Sequence, residues 1–237
     1  MSQNTIQMKG VSKIFETEDM KTYALKDINL TISAGDYVSI SGPSGCGKST
    51  LLSLMGLLDM PSGGEYMIEG VDAANLSLDE AAEIRNSKIG FVFQSFNLID
   101  DLSVFDNVAL PLRYSKDKPN ATAIEQRVND CLEMVNMTHR SRHKPNQLSG
   151  GQQQRIAIAR ALVAEPAILL VDEATGNLDS NSSDQIMDVL DQLHQNGTTI
   201  CMVTHEPRYA DRATTQLKLL DGSILTAPTA REANPAH

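Results

Sequence analysis

Tyr37-Val38-Ser39-Ile40-Ser41-Gly42-Pro43-Ser44-Gly45-Cys46-Gly47-Lys48-Ser49-Thr50 is the stretch on which the fold turns. The apolar run Tyr37 to Ser41 predicts a strand, and the leucine-rich run beyond the loop predicts a helix over Lys48 to Leu58. Between them, Gly42 to Ser49 has the spacing of a phosphate-binding loop. Its glycines let backbone N–H groups turn inward around phosphate oxygens, and the helix N-terminus adds partial positive charge. Lys48 supplies a cation for β- and γ-phosphates, and the Ser49 hydroxyl is a candidate Mg²⁺ ligand. A chance match in a chain of 237 residues is on the order of one in a hundred at ordinary glycine usage, so a plain glycine-rich turn is set aside.

Outward from this loop, short β-branched runs alternate with longer helical patterns. Strands are expected at Ile6 to Val11, Ile28 to Ser33, Glu65 to Glu69, Ile89 to Phe93, Ile168 to Val171, Thr199 to Thr204 and Gln216 to Leu220. Asp221-Gly222 reads as a hairpin turn into Ser223 to Leu225. Helices are expected at Asp79 to Asn86, Ala121 to Asn136, Gly150 to Ala164, Ser182 to Gln195 and Pro207 to Arg212. Strand–helix alternation predicts an α/β fold, a P-loop NTPase core with a mostly parallel sheet. Early hairpin-like strands predict an N-terminal antiparallel β subdomain. The stretch from about 95 to 164 reads as helix and loop and is expected to be an inserted helical lobe. The core then comprises about 1–94 and 165–226, and the small, polar segment 227–237 is expected to be a flexible tail.

Composition bounds the partners. Lys plus Arg number 20 against 30 Asp plus Glu, a net charge of −10, with 41% hydrophobic and 21% charged residues. Such a chain can bury a core, and it lacks the basic footprint of a nucleic-acid coat; no nucleic-acid partner is expected. The most apolar region, Ile156 to Val171, is broken by Arg160, Glu165 and Pro166, so no membrane span is expected. Met1 to Thr5 has neither the charged nor the apolar part of a secretory signal. Cys46, Cys131 and Cys201 are odd in number and far apart, which fits a reducing cytoplasm better than a disulfide framework.

Two more motifs carry chemistry. Ile168-Leu169-Leu170-Val171-Asp172-Glu173 is a doubly buried strand ending in two carboxylates. Asp172 is placed to hold Mg²⁺ through water, and Glu173 to orient and deprotonate an attacking water. Leu148-Ser149-Gly150-Gly151-Gln152 opens a helix. Ser149 is either its N-cap or, with the N–H groups of Gly150, Gly151 and Gln152, part of a second anion cradle. One chain already has one such cradle. A second is useful only if it faces another subunit's nucleotide, which implies a two-fold dimer with composite sites.

Taken together, the loop, the LSGGQ run, the Asp-Glu strand end and His205 in this order resemble the ATP-binding-cassette (ABC) ATPases, over about Ile6 to Leu225. The resemblance implies ATP hydrolysis with ATP and Mg²⁺ as cofactors. It implies that Gln94 contacts Mg²⁺ and the attacking water, and that His205 contacts the γ-phosphate. Gly176-Asn177-Leu178-Asp179 then occupies the loop that crosses the dimer interface, with Asp179 at the nucleotide. Phe15 aligns with the aromatic that stacks on adenine; Tyr23 is the alternative stacker. Gly42, Gln94, Asp172 and His205 each follow the carboxyl end of an expected strand, where open α/β sheets bind ligands. Ala174 departs from the family's usual proline. Cys46 is either a small filler or a redox-sensitive thiol beside a helix N-terminus. The basic cluster Arg140, Arg142, His143 and Lys144 reads as a solvated face or a partner surface.

Finer similarity lies with the lipoprotein-releasing and macrolide-export group, carried by Pro61 to Gly64, Ile89 to Leu98, Lys144 to Leu148 and Thr175 to Asp179. It implies a homodimer in the MgATP state and a separate FtsX/MacB-like membrane permease, with the subunit cytoplasmic and peripheral on the inner face of the membrane. An FtsE-like subunit regulating cell-wall hydrolysis without transport is the alternative. The apolar residues Phe96 to Leu110 are expected to be mostly lobe core, with a groove there for a permease helix.

Overall fold

A computed structural model describes residues 4–16 and 20–225. The tail expected at 227–237 lies outside the described residues.

β3 (Tyr37–Ser41), β6 (Ile89–Val92), β7 (Ile168–Asp172), β8 (Ile200–Val203), β9 (Thr215–Leu220) and β10 (Ser223–Ile224) form one six-stranded sheet, ordered β10-β9-β3-β8-β7-β6. The pairs β9/β3, β3/β8, β8/β7 and β7/β6 are parallel, and β10 closes one edge antiparallel. β1 (Asn4–Glu16), β2 (Lys21–Ser33), β4 (Gly63–Ile68) and β5 (Val71–Asp72) form an antiparallel sheet ordered β2-β1-β4-β5. The antiparallel subdomain therefore draws β4 and β5 from beyond the phosphate loop as well as the two strands before Tyr37.

Side-chain alternation explains why the parallel sheet is so apolar. Leu169 and Val171 face one core with Tyr37, Ile200 and Met202. Ile168 and Leu170 face the other with Val38, Ile40, Cys201 and Val203. A strand covered on both faces has no polar face to show, so it reads as a continuous apolar run. Each such side chain contributes about 1.5–3 kcal/mol by burial.

The helices start where short polar side chains satisfy orphan N–H groups. Ser77 and Glu80 form a reciprocal capping box at α2 (Leu78–Lys88). Ser103 caps α3 (Val104–Arg113) and Asn120 caps α4 (Ala121–Met134). α1 (Lys48–Met55) begins instead at Gly47, with no side-chain cap. α5 (Gly150–Leu162), α6 (Ser180–Gln195) and α7 (Pro207–Ala210) complete the set, with short 3-10 turns at Thr138–Arg140 and Pro145–Gln147.

α3 has no counterpart among the expected helices. Pro111 inside it reads as a breaker, yet it stands in the last turn, where the helix ends soon after anyway. Residues 95–164 contain α3, α4 and α5 and no strand. α5 also packs against β6 and α6, which makes it the bridge between those helices and the parallel sheet.

Candidate functional site

The site forms where β3, β6, β7 and β8 end side by side. Backbone crowding sets the loop after β3. A Cβ at Gly42 would lie 2.2 Å from the Leu219 carbonyl oxygen, so β9 leaves room for hydrogen only. Gly47 has φ +106°, and a Cβ there would lie 2.6 Å from the Ala24 oxygen on β2. The loop is thus wedged between the two sheets. Its Pro43, Ser44 and Gly45 are exposed, Cys46 is buried, Ser49 is exposed and Thr50 is half-buried. The Lys48 ammonium folds over the mouth of the loop, donating to the Gly42 and Pro43 oxygens, both at 2.9 Å, 3.9 Å from the Cys46 Sγ.

Asp172 ends β7 half-buried. Burial first, then the charge of Glu173, pushes its carboxyl above the usual carboxylate range, and Lys48 opposes that push. A cation beside it would offset the same cost. Among the described residues, no group of three or more His, Cys, Asp or Glu could hold a metal ion. The donor set of one carboxylate, the Ser49 hydroxyl and the Gln94 amide suits a hard cation that takes its remaining ligands from phosphate and water, as Mg²⁺ does. A loop whose Gly42 and Gly47 are pressed against β9 and β2, with Lys48 folded over its mouth, fits a nucleotide's phosphates.

Glu173 has φ +45°, a sparsely populated conformation for a residue with a side chain. Its N–H donates to the Val203 oxygen at 3.1 Å, which ties it to β8. Its Oε1 is 3.3 Å from the His205 Nδ1, with the histidine 59% exposed and the glutamate 27%. β7 and β8 thus bring together a carboxylate and an imidazole that lie far apart in sequence.

Gln94 follows β6. Its Nε2 donates to the Asn177 Oδ1 at 3.2 Å, and the Asn177 Nδ2 returns a bond to the Gln94 backbone oxygen at 3.1 Å. Three further residues that the sequence patterns did not mark hold the same region. Gln154 is fully buried and donates to the Phe93 oxygen at 3.3 Å. Arg160 donates to the Phe96 and Asn97 oxygens. Buried Asn107 bonds the backbone of Ile99, Leu102 and Ser103. Gln154 sits in the polar run Gln152-Gln153-Gln154, which hides its burial.

The residues expected for a second cradle lie elsewhere. The Ser149 Oγ accepts from the Gln152 N–H at 3.3 Å, and the Gln152 Oε1 accepts from the Ser149 N–H at 3.0 Å. Ser149 is therefore an N-cap, and its hydroxyl proton remains available to donate. Gly151 packs against Ser182 of α6, and Gly150 against Leu178. Asp179 caps α6 through the Ser182 N–H and hydroxyl, and these bonds hold its carboxyl below the usual range. Among the described residues, no hydrogen bond joins 149–152 to the loop 42–50. Phe15 and Tyr23 are 46% and 54% exposed at one end of the β1–β2 pair, where Phe15 pairs with Thr22 and Ile14 with Tyr23. The Lys13 ammonium lies 5.1 Å over the Phe15 ring.

Comparison with known proteins places this geometry. The profile of the family described as ABC transporter matches residues 25–176. The chain is 44% identical over 220 residues to a macrolide export ATP-binding/permease protein MacB of Escherichia coli, covering 93% of this chain and 34% of that protein. It spans about a third of the length of the macrolide-export relatives it matches. It is 47% identical to an uncharacterized ABC transporter ATP-binding protein of Methanocaldococcus jannaschii, covering 93% of this chain and 97% of that protein. Among solved structures, it superposes with a TM-score of 0.86 at 41% identity on an ATP-binding cassette in a dimeric post-hydrolysis state bound to ADP and Pi, covering 97% of this chain and 100% of that one. The glycine-rich loop under Lys48, the strand-end carboxylates and this extent of similarity give one conclusion: the chain belongs to the ABC transporter family.

Proposed function

We propose that the chain is the MgATP-driven motor of an FtsX/MacB-like membrane permease, acting as a homodimer whose two nucleotides lie between the chains. One observation carries the reading. The Lys48 cradle, the half-buried Asp172 and the Glu173–His205 pair stand at adjacent strand ends. In this reading Lys48, Ser49 and the N–H groups of the loop 42–50, Pro43 excepted, hold the phosphates, and Phe15 or Tyr23 covers the base. Ser49, Gln94 and Asp172 would hold Mg²⁺, which neutralises phosphate charge when bound. Glu173 accepts the proton of the attacking water, and Gln94 and His205 orient it. Ser149, Gly150, Gly151 and Gln152 of one chain, with Asp179, close on the nucleotide of the other.

A groove of about 1000 Å³ suits the permease. Phe91, Phe93, Asn97, Pro111, Tyr114 and Arg160 are among its lining residues, and the Phe91 and Phe93 rings stack at 4.2 Å. Tyr114 is 80% exposed there, an aromatic with nothing to cover it in the isolated chain. A cytoplasmic helix of a permease is the occupant we assign, which places the subunit on the cytoplasmic face of the membrane. No helix among the described residues is long and apolar enough to cross a membrane. Affinity purification of the tagged chain from detergent-solubilised membranes tests this. An FtsX/MacB-like permease should co-purify and should be lost with Tyr114→Asp while ATP binding is retained. Recovery of no membrane protein with either chain would refute the permease reading.

A further inference from the structure

We propose that Asn177 is a positioning residue for Gln94, selecting the amide orientation that turns the Gln94 oxygen toward the metal. The proposal rests on the assignment of Gln94 as a Mg²⁺ ligand made above.

The Gln94 backbone is pinned on both sides from α5. Gln154 bonds the Phe93 oxygen, and Arg160 bonds the Phe96 and Asn97 oxygens. Phe96 and Asn97 are both in the left-handed region, with φ +57° and +51°. These bonds fix where the chain runs and leave the Gln94 side chain free to turn. Its amide lies against Gly176, where a Cβ would come within 2.6 Å of the Nε2 and 3.0 Å of the Cδ. Its hydrogen-bond partner is Asn177, 83 residues away, through the reciprocal pair of 3.2 and 3.1 Å.

The two ends of a glutamine amide differ in chemistry and hardly at all in shape. A hard cation takes only the oxygen. Rotation by half a turn about the last torsion exchanges the ends within nearly the same volume. The Asn177 Oδ1 has no proton to give, so it accepts from the Nε2 and rejects the oxygen. The Asn177 Nδ2 is occupied by the Gln94 backbone carbonyl, which fixes Asn177 in turn. The pair therefore leaves the Gln94 Oε1 as the free end. A hydrogen bond between neutral groups shifts such a choice by about 2- to 10-fold.

Mn²⁺ retained by the full-length protein in the presence of a non-hydrolysable ATP analogue, read by electron paramagnetic resonance, tests this without turnover. Asn177→Leu keeps the shape and loses both bonds; its Mn²⁺ affinity should fall about 2- to 10-fold. In a Gln94→Ala background, where affinity has already fallen, Asn177→Leu should add nothing, because the residue acts through Gln94. Parental affinity in Asn177→Leu, or an undiminished loss in the Gln94→Ala background, overturns the proposal. Unchanged affinity in Gln94→Ala alone refutes Gln94 as a ligand, and the role of Asn177 with it. Melting midpoints of all variants separate these effects from loss of fold.

Discussion

Glu173 and Asp172 are neighbours with opposite situations. Glu173 is held at a positive φ, 3.3 Å from His205. Asp172 is sunk at the strand end with its carboxyl pushed above the usual range. Glu173→Gln removes the group assigned as base, so turnover should fall about 10²–10⁴-fold with ATP binding retained; a phosphate-release assay beside calorimetry checks both. Near-parental turnover would refute the assignment. A carboxyl whose folded pKa is raised stabilises the fold fully below its unfolded pKa, and that stability is lost as pH rises through the raised value. At neutral pH the Asp172 charge is therefore a burden on the ligand-free fold. Asp172→Asn should raise the ligand-free melting midpoint at pH 7 and reduce the further rise that MgATP gives. A lowered ligand-free midpoint would contradict this. Lys48→Ala should lose ATP affinity in calorimetry. The motif residues were legible one by one because glycine, lysine and carboxylate chemistry is local. Gln154, Arg160 and Asn107 were not, because their roles depend on which backbone oxygens the fold brings to them.

At the scale of elements, apolar pattern located most strands, since burial on both faces leaves an unmistakable run such as Ile168 to Val171. β5 escaped because two exposed residues carry no pattern. α3 escaped because Pro111 reads as a breaker, whereas its placement in the last turn lets the helix form. The signature segment shows the limit of motif reading in a single chain. Ser149 offered two roles, and the structure displays the N-cap; the proposed cradle would act only toward a second chain. The buried strand also sets a stability prediction. Leu170 is fully buried in the core between the two sheets, and Leu170→Ala should cost about 2–5 kcal/mol in urea unfolding. Leu58 is nearly half exposed, and Leu58→Ala should stay within about 0.5 kcal/mol. Equal losses would contradict the packing described.

At the scale of the molecule, the net charge of −10 says little about the ligand. In the proposed function, anion binding rests on one lysine, backbone N–H groups and a helix end, all concentrated where four strands stop. The same single chain leaves 149–152 without a hydrogen bond to the loop 42–50 among the described residues. In the proposed function, two copies facing each other would complete the site, each lending its α5 N-terminus to the other's nucleotide. Light scattering of the Glu173→Gln chain with ATP and Mg²⁺ tests that claim most directly. The expected result is a species of twice the 25.8 kDa chain mass that reverts to monomer when ATP is removed or when Ser149 is replaced by a bulky residue. A monomer at saturating MgATP, with nucleotide shown to be bound, would contradict the composite site.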